Sequence, residues 1–245
     1  MIKVALKRIA RTLGVNFCST DHLGVDLEVD LARFTADAPI RTILDVGGNI
    51  GQTALKYASA FPSAMIYTFE PIPSSFSRLQ NAVRGCQRIK AFNTALGDTT
   101  GSIAMTSAES AGNNKVLRDL GTPDRIDVPI DTIDTFTAAN SIETIDLLKI
   151  DVEGYELQVL KGAEQVLHRG QVRFIFAECV IPEDLVEPHT SFFALHQSLH
   201  QNGFSFITYY GESFRLSDGC ALGNVLYALR SKLPSKALGR VKNIV

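Results

Sequence analysis

The chain has 245 residues, 45% of them apolar and 20% charged, with a formal net charge of −2. That size and balance suit one α/β domain with a sizeable core, and give no general electrostatic reason to expect a polyanionic partner such as nucleic acid. Four widely separated cysteines (Cys18, Cys86, Cys179 and Cys220) form no CxxC pair and have no histidine at zinc spacing, so a reducing cytoplasm fits best.

In chain order, "MIKVALKRIARTLGV" is basic and places Ile2, Leu6, Ile9 and Leu13 on one helical face. It lacks the apolar centre of a signal peptide, and no run in the chain approaches the ~18 apolar residues that cross a bilayer. The expectation is a short helix packed on the domain or a neighbouring subunit rather than on a membrane surface. Residues 1–38 read as an N-terminal helical extension, 39–230 as the main domain and 231–245 as a basic tail. From Ile40 onward short apolar runs alternate with helical patterns, the signature of a parallel sheet with crossover helices. Strands are expected at Thr42–Val46, Met65–Phe69 and Ile89–Thr94. Between them lie helices at Ile50–Phe61 and around Phe76, Leu79 and Val83.

The next segment loosens, with turn signals at Gly97-Asp98 and Gly112-Asn113 and strand-like pieces at Ser102–Thr106 and Ile126–Ile130. It is a plausible substrate wall or a plain extension of the sheet. Alternation resumes with a strand ending at Asp151, one helix carrying Leu157, Leu160, Ala163 and Leu167, and a strand "VRFIFAE" ending at Glu178. Ser191–Asn202 reads as a helix capped by Gly203. "FSFITYY" and "NVLYAL" follow as two strands joined by a wide hairpin. The whole is a doubly wound domain without repeats.

The informative stretch is "DVGGNIG" at the end of the first strand. Open α/β sheets bind ligands beyond the carboxyl ends of their strands. Gly47 and Gly48 allow a tight turn and close approach of a ligand, and Gly51 lets the following helix pack against the strand. The dinucleotide pattern G-x-G-x-x-G fails, because Asn49 and Gln52 stand where two of its glycines belong. Asp45 ahead of the glycines would repel a pyrophosphate and suits a cationic ligand such as the amino-acid end of S-adenosylmethionine. Glu70, ending the second strand, is placed to accept from both ribose hydroxyls, and Pro71 turns the chain away.

These residues, with "NTALGD" (Asn93–Asp98), "DTIDTF" (Asp131–Phe136), "IDLLKIDVEGYELQVLKGA" and "FIFAEC" (Phe174–Cys179), make the chain resemble the FkbM-type methyltransferase family from about Asp21 to Leu229. "KIDVEGYE" is the most specific piece. The resemblance implies a class I, Rossmann-like S-adenosylmethionine-dependent methyltransferase fold: α/β, a seven-stranded sheet of six parallel strands and one antiparallel, with helices on both faces. It also implies O-methylation of a hydroxyl on a sugar, glycan or polyketide-type small molecule. Asp45, Gly47, Gly48, Asn49 and Gly51 would surround the methionine part, Glu70 and Pro71 the ribose, and Asn93, Thr94, Ala95 and Leu96 the adenine. Asp98 either accepts from the exocyclic amine or shapes its turn. The family usually reads "DVGANIG", and Gly48 in place of the alanine should leave cofactor binding intact.

Methyl transfer to an alcohol needs alignment and removal of the hydroxyl proton. The strand-end carboxylates Asp151, Glu153 and Glu178 are the candidates, with Asp151 and Glu178 facing one crevice. One of them as a base is favoured over a divalent cation held by two carboxylates, and no metal ligands are assigned. Glu153 also suits a helix entrance, and Lys149 pairs with an acid or lines the site. His196 and His200 read as packed or solvated, and His168 as a partner of a helix C-terminus. The rival readings are a nicotinamide oxidoreductase, against which Asp45 speaks, and a non-catalytic binding module. A homo-oligomer stays open.

Overall fold

The computed structural model describes residues 22–106, 125–181, 189–215 and 220–233. The expected N-terminal helix over residues 2–13, Cys18, the Gly112-Asn113 turn and the basic tail from 234 onward lie outside the described residues.

The elements run α1 (Leu27–Phe34), β1 (Thr42–Val46), α2 (Gln52–Ala60), β2 (Met65–Phe69), α3 (Pro73–Val83) and β3 (Ile89–Phe92). Three short strands follow, β4 (Ala95–Leu96), β5 (Gly101–Thr106) and β6 (Arg125–Asp131), then α4 (Ile133–Ala139) and β7 (Ile145–Ile150). The last part is α5 (Glu156–Lys161), α6 (Glu164–His168), β8 (Val172–Ile181), α7 (Phe192–Gln201), β9 (Phe204–Arg215) and β10 (Cys220–Leu229).

Seven strands form one sheet in the order β3-β2-β1-β7-β8-β10-β9. Pairings from β3 through β8 are parallel, while β10 runs antiparallel to both β8 and β9. This is the expected class I methyltransferase arrangement, with "NVLYAL" in the antiparallel strand. β7 lies in the middle and every one of its residues is buried, as a strand covered on both faces requires. Leu148 and Ile150 of β7 join a core with α4, α5, α6 and α7, built from Phe136, Val159, Leu167 and Leu195. Leu147 joins the opposite core, with Leu31 of α1, Tyr57 of α2 and Leu79 of α3. α1 therefore belongs to the sheet's own packing, although it falls within the stretch expected as an extension.

Among the differences from the sequence reading, three have a clear tertiary reason. The helix expected through Leu157–Leu167 is split at Gly162 and Ala163. The Gly162 carbonyl accepts from the Asp134 amide at 2.9 Å, and the Asp134 carboxylate caps a new start by accepting from Gln165 and Val166 at 2.9 and 3.0 Å. β8 runs three residues past Glu178 to Ile181, because β10 pairs it as far as Ala221–Ile181. The loosely patterned segment makes a second sheet, β4-β6-β5, with its own small core of Ile72, Ala95, Met105, Val128 and Ile130.

α1 is held by a buried acid. Asp30 accepts from the Gly24 amide at 2.8 Å and the Tyr210 hydroxyl at 2.7 Å, and pairs with Arg33 at 3.2 Å. Burial and the adjoining carboxylate raise the Tyr210 phenol above its ordinary pKa, so it stays a donor. Tyr210→Phe should keep the ring packing and lose this bond, costing about 1–2 kcal/mol in urea unfolding; an unchanged midpoint would show the bond contributes nothing net.

Candidate functional site

After β3 the chain crosses to the other side of β1 and resumes as β7, so the crevice between the ends of β1 and β7 is where the strand order reverses. An open cleft lies there, where an α/β sheet places its ligands. Its wall comes from the ends of β1 (Val46, Gly47, Asn49), β2 (Glu70, Pro71), the chain after β3 (Thr94, Ala95, Leu96) and the loop after β7 (Asp151, Glu153).

The turn after β1 is shaped by close approach. Gly47 has φ +83°, and a Cβ there would lie 1.8 Å from the Asp151 carbonyl oxygen, so only glycine lets β1 and β7 meet. Asn49 is also left-handed, at φ +47°, which aims its amide at the Glu70 carboxylate, 2.9 Å away. The other Glu70 oxygen accepts from the Ile72 amide at 2.9 Å. Burial pushes the Glu70 carboxyl up to about 7, against the two amides and Lys149, which favour its ionised form.

Asp45 does not line the cleft. Side chains alternate along a strand, and Asp45 shares a face with its register partners Thr68 and Lys149 while Val46 takes the cleft side. One carboxylate oxygen accepts from the Thr68 hydroxyl at 2.8 Å, and the other lies 3.3 Å from the Lys149 ammonium. Asp45 was expected beside a ligand's cation; the cation beside it in the structure is the internal Lys149. Lys149 also lies 3.3 Å from Asp151 and donates to the Gly47 carbonyl at 2.7 Å. Burial disfavours the ammonium, but the two carboxylates outweigh it and raise its pKa above the ordinary lysine value.

Gly48, Gly51, Asn93 and Asp98 also stand behind the wall. The Asn93 amide donates to the Glu70 and Pro71 carbonyls at 2.9 Å each, fixing the turn that presents Glu70. Asp98 is paired with Lys161 at 3.0 Å and its charge acts on the Tyr155 phenol, which favours its role in its own turn over contact with a ligand. Gly51 packs on Leu79 and Val83 of α3, at 3.5 and 3.3 Å from a built Cβ, rather than on the strand.

The carboxylates after β7 and in β8 divide differently from expectation. Asp151 turns to Lys149, and Glu153 rather than Asp151 approaches Glu178. Glu153, Glu178 and His189 bring one ligand-type atom each within 4.8 Å of one another, with His189 Nδ1 3.7 Å from Glu178. Glu153 also lines the cleft, so this group adjoins it. Two oxygens and a nitrogen at that spacing form a donor set a divalent cation accepts with a small inward shift. His189 was missed in the sequence, where nothing marks it apart from four other histidines. Tyr155, Val152 and Met105 were missed likewise, and the last comes from the second sheet. His196, by contrast, stacks on Phe192 and His200 and bonds the Tyr227 hydroxyl at 2.9 Å.

The fold and cleft together define a Rossmann-like α/β protein whose first strand-end turn lacks the dinucleotide glycines. Residues 45–206 match the Methyltransferase FkbM domain, and the chain belongs to that family. It is 28% identical over 158 residues to the 2-O-methyltransferase NoeI of Sinorhizobium fredii, covering 58% of this chain and 64% of the relative. It is 29% identical over 147 residues to the hexuronic acid methyltransferase AglP of Haloferax volcanii, covering 58% and 59%. With the 31-O-demethyl-FK506 methyltransferase FkbM of Streptomyces tacrolimicus it shares 29% over 157 residues, covering 51% and 60%. The chain thus spans just under two thirds of the length of these relatives.

The glycine at 48 has a local cause. A Cβ there would stand 2.1 Å from Thr68 Oγ1 and 2.8 Å from Leu79 Cδ1. Gly48→Ala should therefore cost about 1–3 kcal/mol in denaturant unfolding. Adding Thr68→Ala should recover part of that loss, and strict additivity of the two would remove the steric explanation.

Proposed function

We propose that this chain transfers a methyl group from S-adenosylmethionine to a hydroxyl of a sugar or polyketide-type small molecule. The observation that carries the reading is the double position of Glu153, on the wall of the cleft and within reach of Glu178 and His189. It joins a nucleoside-type site to a group able to take a proton. The hydroxyl acceptor is supported by the relatives, whose names specify a 2-O-methyltransferase, a hexuronic acid methyltransferase and a 31-O-demethyl-FK506 methyltransferase.

The residues present fit the cofactor. Glu70 offers a buried carboxylate on the wall to the ribose hydroxyls, and the Gly47 backbone lies on the same wall. Thr94, Ala95 and Leu96 line the cleft where the adenine would lie. Asp45 acts from behind, setting Lys149 and hence the loop of Asp151. The bound sulfonium supplies a methyl carbon already activated for displacement. An acceptor hydroxyl would be aligned with that carbon, and its proton would pass to the Glu153–Glu178–His189 group. Positioning and proton removal are the protein's contribution. A second reading, in which the same three side chains hold a divalent cation that acidifies the hydroxyl, is favoured by their mixed oxygen and nitrogen donors. The free thiols of Cys86 and Cys179 support a reducing, cytoplasmic setting.

Ribose hydroxyls donate to an ionised Glu70, so a carboxyl titrating near 7 in the free protein makes binding weaker on its acid side. The cofactor dissociation constant should be about tenfold larger at pH 6 than at pH 8 by calorimetry, the effect of one proton. Glu70→Gln should bind weakly at both, and an unaltered affinity in that variant would remove Glu70 from the ribose. Glu178→Gln should keep cofactor affinity and lower kcat by about 10²-fold or more, read with labelled cofactor against a panel of sugars and hydroxylated metabolites. Turnover that vanishes with chelator and returns with magnesium or manganese would establish the cation reading instead.

A further inference from the structure

Glu156, the last acid of "KIDVEGYE", has no part in the scheme above, yet it is only 1% exposed. A carboxylate taken out of water is costly unless its oxygens are satisfied. One Glu156 oxygen accepts from the Val152 amide at 3.1 Å and the Gly154 amide at 3.2 Å. The other accepts from the Thr190 hydroxyl. Burial raises its pKa above the ordinary glutamate value, and these donors oppose that rise.

The two amides flank Glu153. That residue is held at φ +54° and Gly154 at φ +96°, a left-handed pair that costs the non-glycine member about 1–2 kcal/mol and persists only when its surroundings fix it. Thr190 is the next residue after His189, and its carbonyl accepts from the Val180 amide of β8 at 2.9 Å. Glu178 itself is set by the sheet, in register with Asn224 of β10. Of the three members of the proton-accepting group, one is thus fixed by strand pairing. The other two sit on connecting segments that meet at a single carboxylate.

We propose that Glu156 is a positioning residue: by binding the loop of Glu153 on one side and Thr190 on the other, it sets Glu153 and His189 over Glu178 and so governs the rate of methyl transfer rather than cofactor affinity. The inference rests on the function proposed above. Glu156 does not line the cleft, and it acts only through the residues it ties.

The test is steady-state kinetics with an acceptor that the wild-type protein methylates, alongside cofactor calorimetry and thermal unfolding. Glu156→Ala should lower kcat about 100-fold, the usual effect of a displacement of about an ångström, with the cofactor dissociation constant within about threefold of wild type. Glu156→Gln keeps an oxygen for the two amides, and the Thr190 hydroxyl can turn to accept from its amide, so it should restore kcat to within about tenfold. Thr190→Val should cost about tenfold on its own and nothing further in the Glu156→Ala background, because both act through one bond. A Glu156→Ala protein with a lowered melting temperature and wild-type kcat would overturn the proposal, as would equal losses in kcat and cofactor affinity. If Glu156→Ala does not fold, Thr190→Val with unchanged kcat overturns it alone. A wild-type protein that methylates no hydroxyl acceptor ends the functional reading and this inference with it, whereas an active wild type with indifferent variants ends only the inference.

Discussion

The structure turns on one buried cation between two acids. Lys149, only 4% exposed, lies 3.3 Å from both Asp45 and Asp151 and donates to the Gly47 carbonyl. An ammonium in such surroundings persists only when paired and hydrogen-bonded, so its three partners are bound to one another through it. Those partners belong to the end of β1, the turn after it and the loop after β7, the two sides of the crevice where strand order reverses. The ion triad therefore fixes the width of the cleft from underneath, and the glycine at 47 removes the side chain that would hold the two sides apart.

From this foundation the site divides its tasks. One side of the cleft is made by strand ends and backbone amides, with Glu70 held by Asn49 and Ile72 and its turn braced by Asn93. The other side is made by side chains from three segments, brought together at Glu153, Glu178 and His189. "KIDVEGYE" reads across both. Lys149 sets the cleft, Glu153 and Tyr155 line it, Gly154 permits the backbone path, and Glu156 holds that path in place.

The sheet was legible because alternation of apolar runs with helical patterns is a local property. β1 and β2 have the bounds expected from their sequences, since each is a short apolar run ending in a turn signal. What escaped was decided across the chain. No local feature of Gly162 announces that Asp134 will draw its carbonyl away and restart the helix. Asp45 was expected to reach a ligand because an acid ahead of glycines has that chemistry; its register partner Lys149 was needed to show where it points. His189 joins Glu178 only through the return of the chain beside β8, which spacing along the sequence does not encode. The second sheet escaped for a related reason, its middle strand β6 pairing with two earlier pieces, β4 and β5.

The position of β10 has a consequence for how the molecule is made. It is the last strand in sequence among the described residues, yet it lies between β8 and β9 and supplies the neighbour of Glu178. As the chain leaves the ribosome, β8 has an open edge and β9 no place in the sheet until residues 220–229 arrive. The half built on β1, β2 and β3 can assemble early, while the half that bears Glu178 waits for β10. A nascent chain cut short before that point would then carry one wall of the cleft without the other, together with a bare, strongly apolar strand edge for chaperones to guard.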